Sequence, residues 1–208
     1  QQIVTLYDAV LQGLKAAAAQ AARTALQAKS PEELVNEVLI PALDTVGAGF
    51  EKGVLFLPQL LQSAGAAQAA FEVVKDAIAA SGKKSGGKGK IIVATVKGDI
   101  HDIGKNIVKT LLENYGYDVL DLGRDVPAET VVKAAQEHGV RLVGLSALMT
   151  TTLGSMEETI CALRRAGLSC RVMVGGAVLT PEYAMHIGAD YYAKDAKQSV
   201  DIAREVLG

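Results

Sequence analysis

The spacing of apolar residues along the chain changes once, near residue 90. Before that point they recur every three or four positions, the period of an amphipathic helix. After it, short apolar runs alternate with amphipathic stretches, the pattern of buried parallel strands joined by crossover helices. Val4 to Leu26 is alanine-rich, with Val10, Leu14 and Ala17–Ala18 on one helical stripe. Ser30-Pro31-Glu32-Glu33 is a capping box with proline at the first helical position. The helix it starts runs through Leu34, Val38 and Leu39, with a kink expected at Pro41, towards Gly47 and Gly49. Pro58 opens another helix, on which Leu60, Leu61, Ala64, Phe71, Val74 and Ile78 keep helical spacing. Residues 1–80 thus read as an all-α bundle of three or four helices.

Strands are expected at Ile91–Val96, Asp118–Leu122, Leu142–Ser146, Val172–Val174 and Asp190–Tyr192. They alternate with helices near 105–115, 128–138, 154–166, 181–187 and 196–207. Five strand–helix units of this length predict an α/β, flavodoxin-like, doubly wound five-stranded parallel sheet with right-handed crossovers. The commoner order is 2-1-3-4-5, which makes strands 1, 3 and 4 neighbours. Between the halves, residues 81–90 (SGKKSGGKGK) are glycine, lysine and serine alone, a flexible linker. The organisation read from the sequence is a helical domain at 1–80, a linker at 81–90 and an α/β domain at 91–208.

Composition narrows the function. Half of the 208 residues are apolar, few are aromatic and none is Trp, so aliphatic and alanine packing must dominate. A net charge of −2, without a long Lys/Arg run, gives no reason to expect nucleic acid. No stretch of about 18 apolar residues is present to span a membrane, and no signal-peptide pattern opens the sequence. Cys161 and Cys170 read as reduced, partly buried thiols, so a cytoplasmic chain is expected.

The residues with chemical potential gather at three strand ends. After strand 1 comes Gly98-Asp99-Ile100-His101-Asp102-Ile103-Gly104-Lys105-Asn106. Strand 3 ends in Ser146-Ala147-Leu148-Met149-Thr150-Thr151-Thr152, and strand 4 in Gly175-Gly176. Singly, a Gly-Gly is usually a turn and a Thr run usually a helix cap. Together, at the carboxyl ends of neighbouring strands, they mark the place where open α/β sheets bind ligands. Two nucleotide motifs are excluded. Gly98 to Lys105 has one residue too many between its glycines for a Walker loop, and Asn106 stands where Mg²⁺ needs Ser or Thr. No G-x-G-x-x-G follows the first strand.

Asp99-x-His101-x-x-Gly104, then Ser146-x-Leu148, then Gly175-Gly176 resembles the signature of cobalamin-binding domains. The gaps, 41 residues from Gly104 to Ser146 and 26 from Leu148 to Gly175, suit that pattern. The helical half is similar to the cap of methionine synthase and of corrinoid methyl-carrier proteins, with Phe50, Leu57, Pro58, Gln59 and Leu60 matching the segment over the corrin.

The resemblance implies cobalamin (methylcobalamin, cob(I)alamin or a related corrinoid) as cofactor, bound with its lower base displaced into a pocket between strands 1 and 3. Ser146, Gly175 and Gly176 would make room for the nucleotide tail, Leu148 and Gly104 would flank the site, and Thr150 would bond near the base. His101 would be the cobalt axial ligand. Asp99 would hold its other ring nitrogen, and Thr152 would complete the relay in place of a serine. Phe50, Leu57 and Leu60 would shield the upper face, and the 81–90 linker would let the cap move aside.

The resemblance further implies a methyl carrier rather than a complete enzyme. It would be loaded by a substrate-specific methyltransferase, with methylated amines the nearest match, and unloaded by an acceptor methyltransferase using tetrahydrofolate or coenzyme M. A reductive activase would be a further partner. A carbon-skeleton mutase subunit shares the three motifs but needs no helical cap. A cobalamin-dependent regulator would usually add a DNA-binding domain, and no basic helix-turn-helix is apparent.

Overall fold

The computed structural model describes residues 4–81 and 87–208. Residues 82–86, in the middle of the expected linker, lie outside it. The chain divides into two compact units, 1–86 and 87–208.

The first unit is helical: α1 (Leu6–Leu11), α2 (Lys15–Ala25), α3 (Pro31–Leu34), a π-helical turn (Val35–Leu39), α4 (Ile40–Glu51) and α5 (Leu57–Ala80). Its buried positions are mostly small or aliphatic, among them Ala18, Ala22, Leu43, Ala67, Ala70 and Val74. Small side chains let α2 lie close along α5. The capping box is reciprocal, with Glu33 N donating to Ser30 Oγ at 3.2 Å and Ser30 N donating to Glu33 Oε2 at 2.9 Å.

Two features depart from the sequence pattern. The stripe over 4–26 is not one helix: α1 and α2 are separated at Gly13, whose φ of +70° is left-handed. A Cβ there would stand 2.8 Å from Gln62 Cβ on α5, so the break lies where the chain runs close against that helix. The disturbance expected at Pro41 takes the form of the π-helical turn just before it. A proline ring presses on the carbonyl four residues back, here that of Glu37, and the wider π turn gives it room.

The second unit holds a sheet ordered β2-β1-β3-β4-β5, parallel throughout. The strands are β1 (Lys90–Thr95), β2 (Asp118–Asp121), β3 (Leu142–Ser146), β4 (Arg171–Gly175) and β5 (Tyr191–Tyr192). Between and after them run α6 (Ile103–Asn114), α7 (Ala128–His138), α8 (Leu153–Arg165), α9 (Pro181–His186) and α10 (Ala196–Leu207). The central strands are buried on both faces, which explains their unbroken apolar runs. Ile92, Val143, Leu145, Val172 and Val174 pack with Val131 of α7 and Met156, Ile160 and Leu163 of α8. Each such side chain removed from water contributes about 1.5–3 kcal/mol. α6 and α10 pack on the sheet as well, and against each other.

The register sets the site. Thr95 pairs with Ser146 and Ser146 with Gly175, so β1, β3 and β4 end on one rung. The loops that follow them therefore start side by side. Among the described residues, no helix is long and apolar enough to cross a membrane.

Candidate functional site

The site is built around the carboxylate of Asp99, which is fully buried in the loop after β1. Its Oδ1 accepts the backbone N–H of His101 at 3.0 Å and lies 2.8 Å from His101 Nδ1. A carboxylate only accepts, so Nδ1 carries the proton, and in the neutral ring Nε2 is left with the lone pair. Its Oδ2 is reached from the loop after β3, by Leu148 N at 2.8 Å, Met149 N at 3.3 Å and Thr152 Oγ1 at 2.8 Å. Burial alone would raise the carboxyl's pKa. The bonds from His101 N, Leu148 N, the His101 ring and Thr152 outweigh it and hold the group well below the usual carboxylate range.

The two ends of this relay differ in exposure. The His101 side chain is 44% exposed, while Thr152 is buried on the 3₁₀ turn Thr150–Thr152 that leads into α8. Thr152 Oγ1 also lies 2.9 Å from Met149 O, a second acceptor for its single proton. The motif residues Asp99 and His101 and the Thr152 of the implied relay thus form one continuous chain of hydrogen bonds.

The other predicted positions of this unit surround it. Ser146 Oγ meets the buried Thr95 Oγ1 at 2.9 Å across the seam between β1 and β3. Leu148 bonds through its backbone and is 41% exposed, and Thr150 is exposed. A Cβ on Gly104 would meet nothing within 4 Å, and Ile100 and Ile103 beside it are 59% and 77% exposed. Gly176, with φ +143°, lies so close to the β3 loop that a Cβ would fall 1.8 Å from Ala147 O. No other residue fits there. At Gly175 a Cβ would press on Ala193 O at 3.2 Å.

In the helical unit Phe50 is half-buried, Leu57 is 39% exposed, and Leu60 is buried with little surface to offer. Val54 and Phe56, which the motif reading passes over, are 70% and 69% exposed in the turn before α5. Other contributors were also hidden in the sequence. Thr95 is a plain strand residue until its register is known. Lys105, buried at the start of α6, pairs with Asp121 at 2.6 Å, and an acid ending β2 was the available signal. A cavity of about 480 Å³, lined in part by Gln136, Arg141, Cys170 and Tyr191, lies at the amino ends of the strands, away from this cluster.

The family pattern described as the B12 binding domain matches residues 89–201, and a second pattern so described matches residues 3–75. The dimethylamine corrinoid protein 1 of Methanosarcina acetivorans is 42% identical over 97% of this chain and 95% of its own. Among solved structures, the methanol:cobalamin methyltransferase complex of Methanosarcina barkeri contains a chain 32% identical, with a TM-score of 0.86, over 99% of this chain and 79% of that one. A cobalamin-binding protein of Desulfitobacterium hafniense superposes with a TM-score of 0.83 at 32% identity, over 98% and 97% of the two chains.

Fold and site together define a cobalamin-binding module preceded by a helical unit. The chain belongs to the B12-binding family, among its methyltransferase-associated corrinoid proteins, and its cofactor is a corrinoid. The residues present suit that group. His101 offers one imidazole donor fixed through its other nitrogen, Gly104 leaves open space, and Ile100, Ile103 and Leu148 expose apolar side chains beside it.

Proposed function

We propose that this protein carries a methyl group between two methyltransferases, one that takes it from a methylated amine or a similar one-carbon donor and one that delivers it to tetrahydrofolate or coenzyme M. Bound corrinoid supplies a cobalt centre that accepts and releases the methyl group. His101 Nε2 would hold the cobalt, imidazole being a suitable donor for such a metal. Asp99 fixes the tautomer and orientation of that ring, and Thr152 steadies Asp99. Ser146, Gly175 and Gly176 would receive the nucleotide tail, Thr150 would bond near its base, and Gly104 and Leu148 would border the corrin.

Phe50, Leu57 and Leu60 would help to exclude water from the bound group. A reductive activase restores the carrier after adventitious oxidation, and the chain works in the cytoplasm. A mutase subunit is not favoured, because the match extends through the helical residues 3–75, which that function does not need.

The observation that carries the reading is the Thr152–Asp99–His101 chain of hydrogen bonds at the end of β1. Its test is reconstitution with hydroxocobalamin and reduction to Co(II). The paramagnetic resonance spectrum should show hyperfine splitting from one imidazole nitrogen. His101→Ala should still bind cobalamin but lose that splitting. Unchanged splitting in the variant would show that the ligand lies elsewhere. Methyl transfer to the protein reduced further to Co(I), assayed with methyltransferases for methylated amines, methanol, betaine and aryl methyl ethers, then identifies the donor.

A further inference from the structure

We propose that Asp125 is a positioning residue for the Asp99–His101 pair, a role that rests on the reading of His101 as the cobalt ligand. Asp125 lies after β2, in Gly123-Arg124-Asp125-Val126-Pro127, and is the one residue other than glycine with left-handed backbone among the described residues, at φ +52°. L side chains adopt that conformation uncommonly, aspartate more readily than most, and it persists where the surroundings over-determine it.

The surroundings here are the turn that carries Asp99. Asp125 Oδ1 accepts the N–H of Gly98 at 2.7 Å, and Asp125 N donates to Asp99 O at 2.9 Å. One residue thus grips both ends of the 98–99 segment. The strand below is held in the same way. Leu122 N bonds Val93 O, Thr95 N bonds Gly123 O, and Val126 N bonds Thr95 O, at 2.9–3.1 Å.

Asp99 is consequently held twice. The loop after β3 bonds its carboxylate, and Asp125 bonds its backbone. Both nitrogens of His101 that meet Asp99 bond the same Oδ1, so a rotation of the 98–99 peptide turns the imidazole with it. Asp125 acts on the ring through Asp99 and does not bond the ring itself. A turn aspartate that merely closed its own loop would affect stability without changing how the imidazole meets the metal.

The two roles are separated in the full chain by Asp125→Asn, Asp125→Ala and Asp125→Gly, each loaded with hydroxocobalamin and reduced to Co(II) at about pH 7. Asn keeps the acceptor and tolerates the left-handed backbone, Ala loses both, and Gly loses the acceptor alone. The readout is the ratio of imidazole-ligated to detached Co(II) from the nitrogen splitting. Asp125→Asn should match the unmutated protein. In Asp125→Ala and Asp125→Gly the ratio should fall about tenfold, equivalent to about 1.4 kcal/mol, while cobalamin affinity stays within about threefold. In the same variants without cofactor, the His101 amide should exchange its hydrogen faster. If Asp125→Ala does not fold, Asp125→Gly decides, since glycine takes this turn without strain.

Unmutated splitting in Asp125→Gly would overturn the proposal, as would a loss in Asp125→Asn equal to that in Asp125→Gly. Absence of the His101 splitting in the unmutated protein would instead overturn the ligand reading, and it is seen before any Asp125 variant is made.

Discussion

Asp99 sits at 0% exposure with its charge intact, which only a dense set of donors makes tolerable. Burial opposes ionisation and the donors overcome it, so the folded carboxyl ionises at lower pH than the unfolded one, whose value is about 3.9. A group depressed in this way adds stability that is fully present above the unfolded value and is lost as pH falls towards the folded one. Asp99→Asn should therefore destabilise the cofactor-free protein by about 1–3 kcal/mol at neutral pH. The deficit should shrink between about pH 5 and pH 3, as the unmutated protein loses its own advantage. Urea denaturation across that range checks this, and a deficit independent of pH would contradict it. The motif spacing singled out Asp99 and His101, the resemblance to methionine synthase added Thr152, and the structure brings the three together. Asp125 was not legible: its part depends on a backbone angle and on main-chain atoms of a turn 27 positions away.

Among the elements, the alternation of apolar runs placed the five strands and their order, and most ends fall within a residue or two of the expected ones. A strand buried on both faces writes itself into the sequence as an unbroken apolar run. The helical unit was less transparent. The α1–α2 break is invisible to periodicity, because Val10, Leu14 and Ala18 continue the stripe across it and the cause is Gln62, far along the chain. Two substitutions on this seam should act in opposite directions. Gly13→Ala puts a methyl against the α5 backbone at a left-handed position and should cost at least about 2 kcal/mol. Gly65→Ala, inside α5, meets only the mobile end of Lys15 at 3.2 Å and should gain about 0.5–1 kcal/mol from helix propensity. Far-UV circular dichroism during urea unfolding measures both. Equal effects of one sign would show that the seam is not set by this approach.

At the scale of the whole molecule, the two family patterns fall on the two compact units, with residues 76–88 between them. The relay belongs to the second unit alone, and its bonds span long stretches of chain. Asp99 meets Leu148, Met149 and Thr152 across 49, 50 and 53 positions. Those loops are in reach of one another only after β1 has paired with β3, a closure whose entropy is spent before the contacts return anything. The order of events in time follows: sheet first, relay last. A cofactor held there would gain nothing from the transition state of folding and everything from the finished structure. Cobalamin should accordingly leave the refolding rate of the second unit unchanged and slow its unfolding, in proportion to its mass-action stabilisation. Stopped-flow denaturant jumps on the loaded and cofactor-free protein would display this as a lowered unfolding limb beside superimposed folding limbs. Loading with the cofactor should thus lengthen the lifetime of the folded unit without hastening its formation.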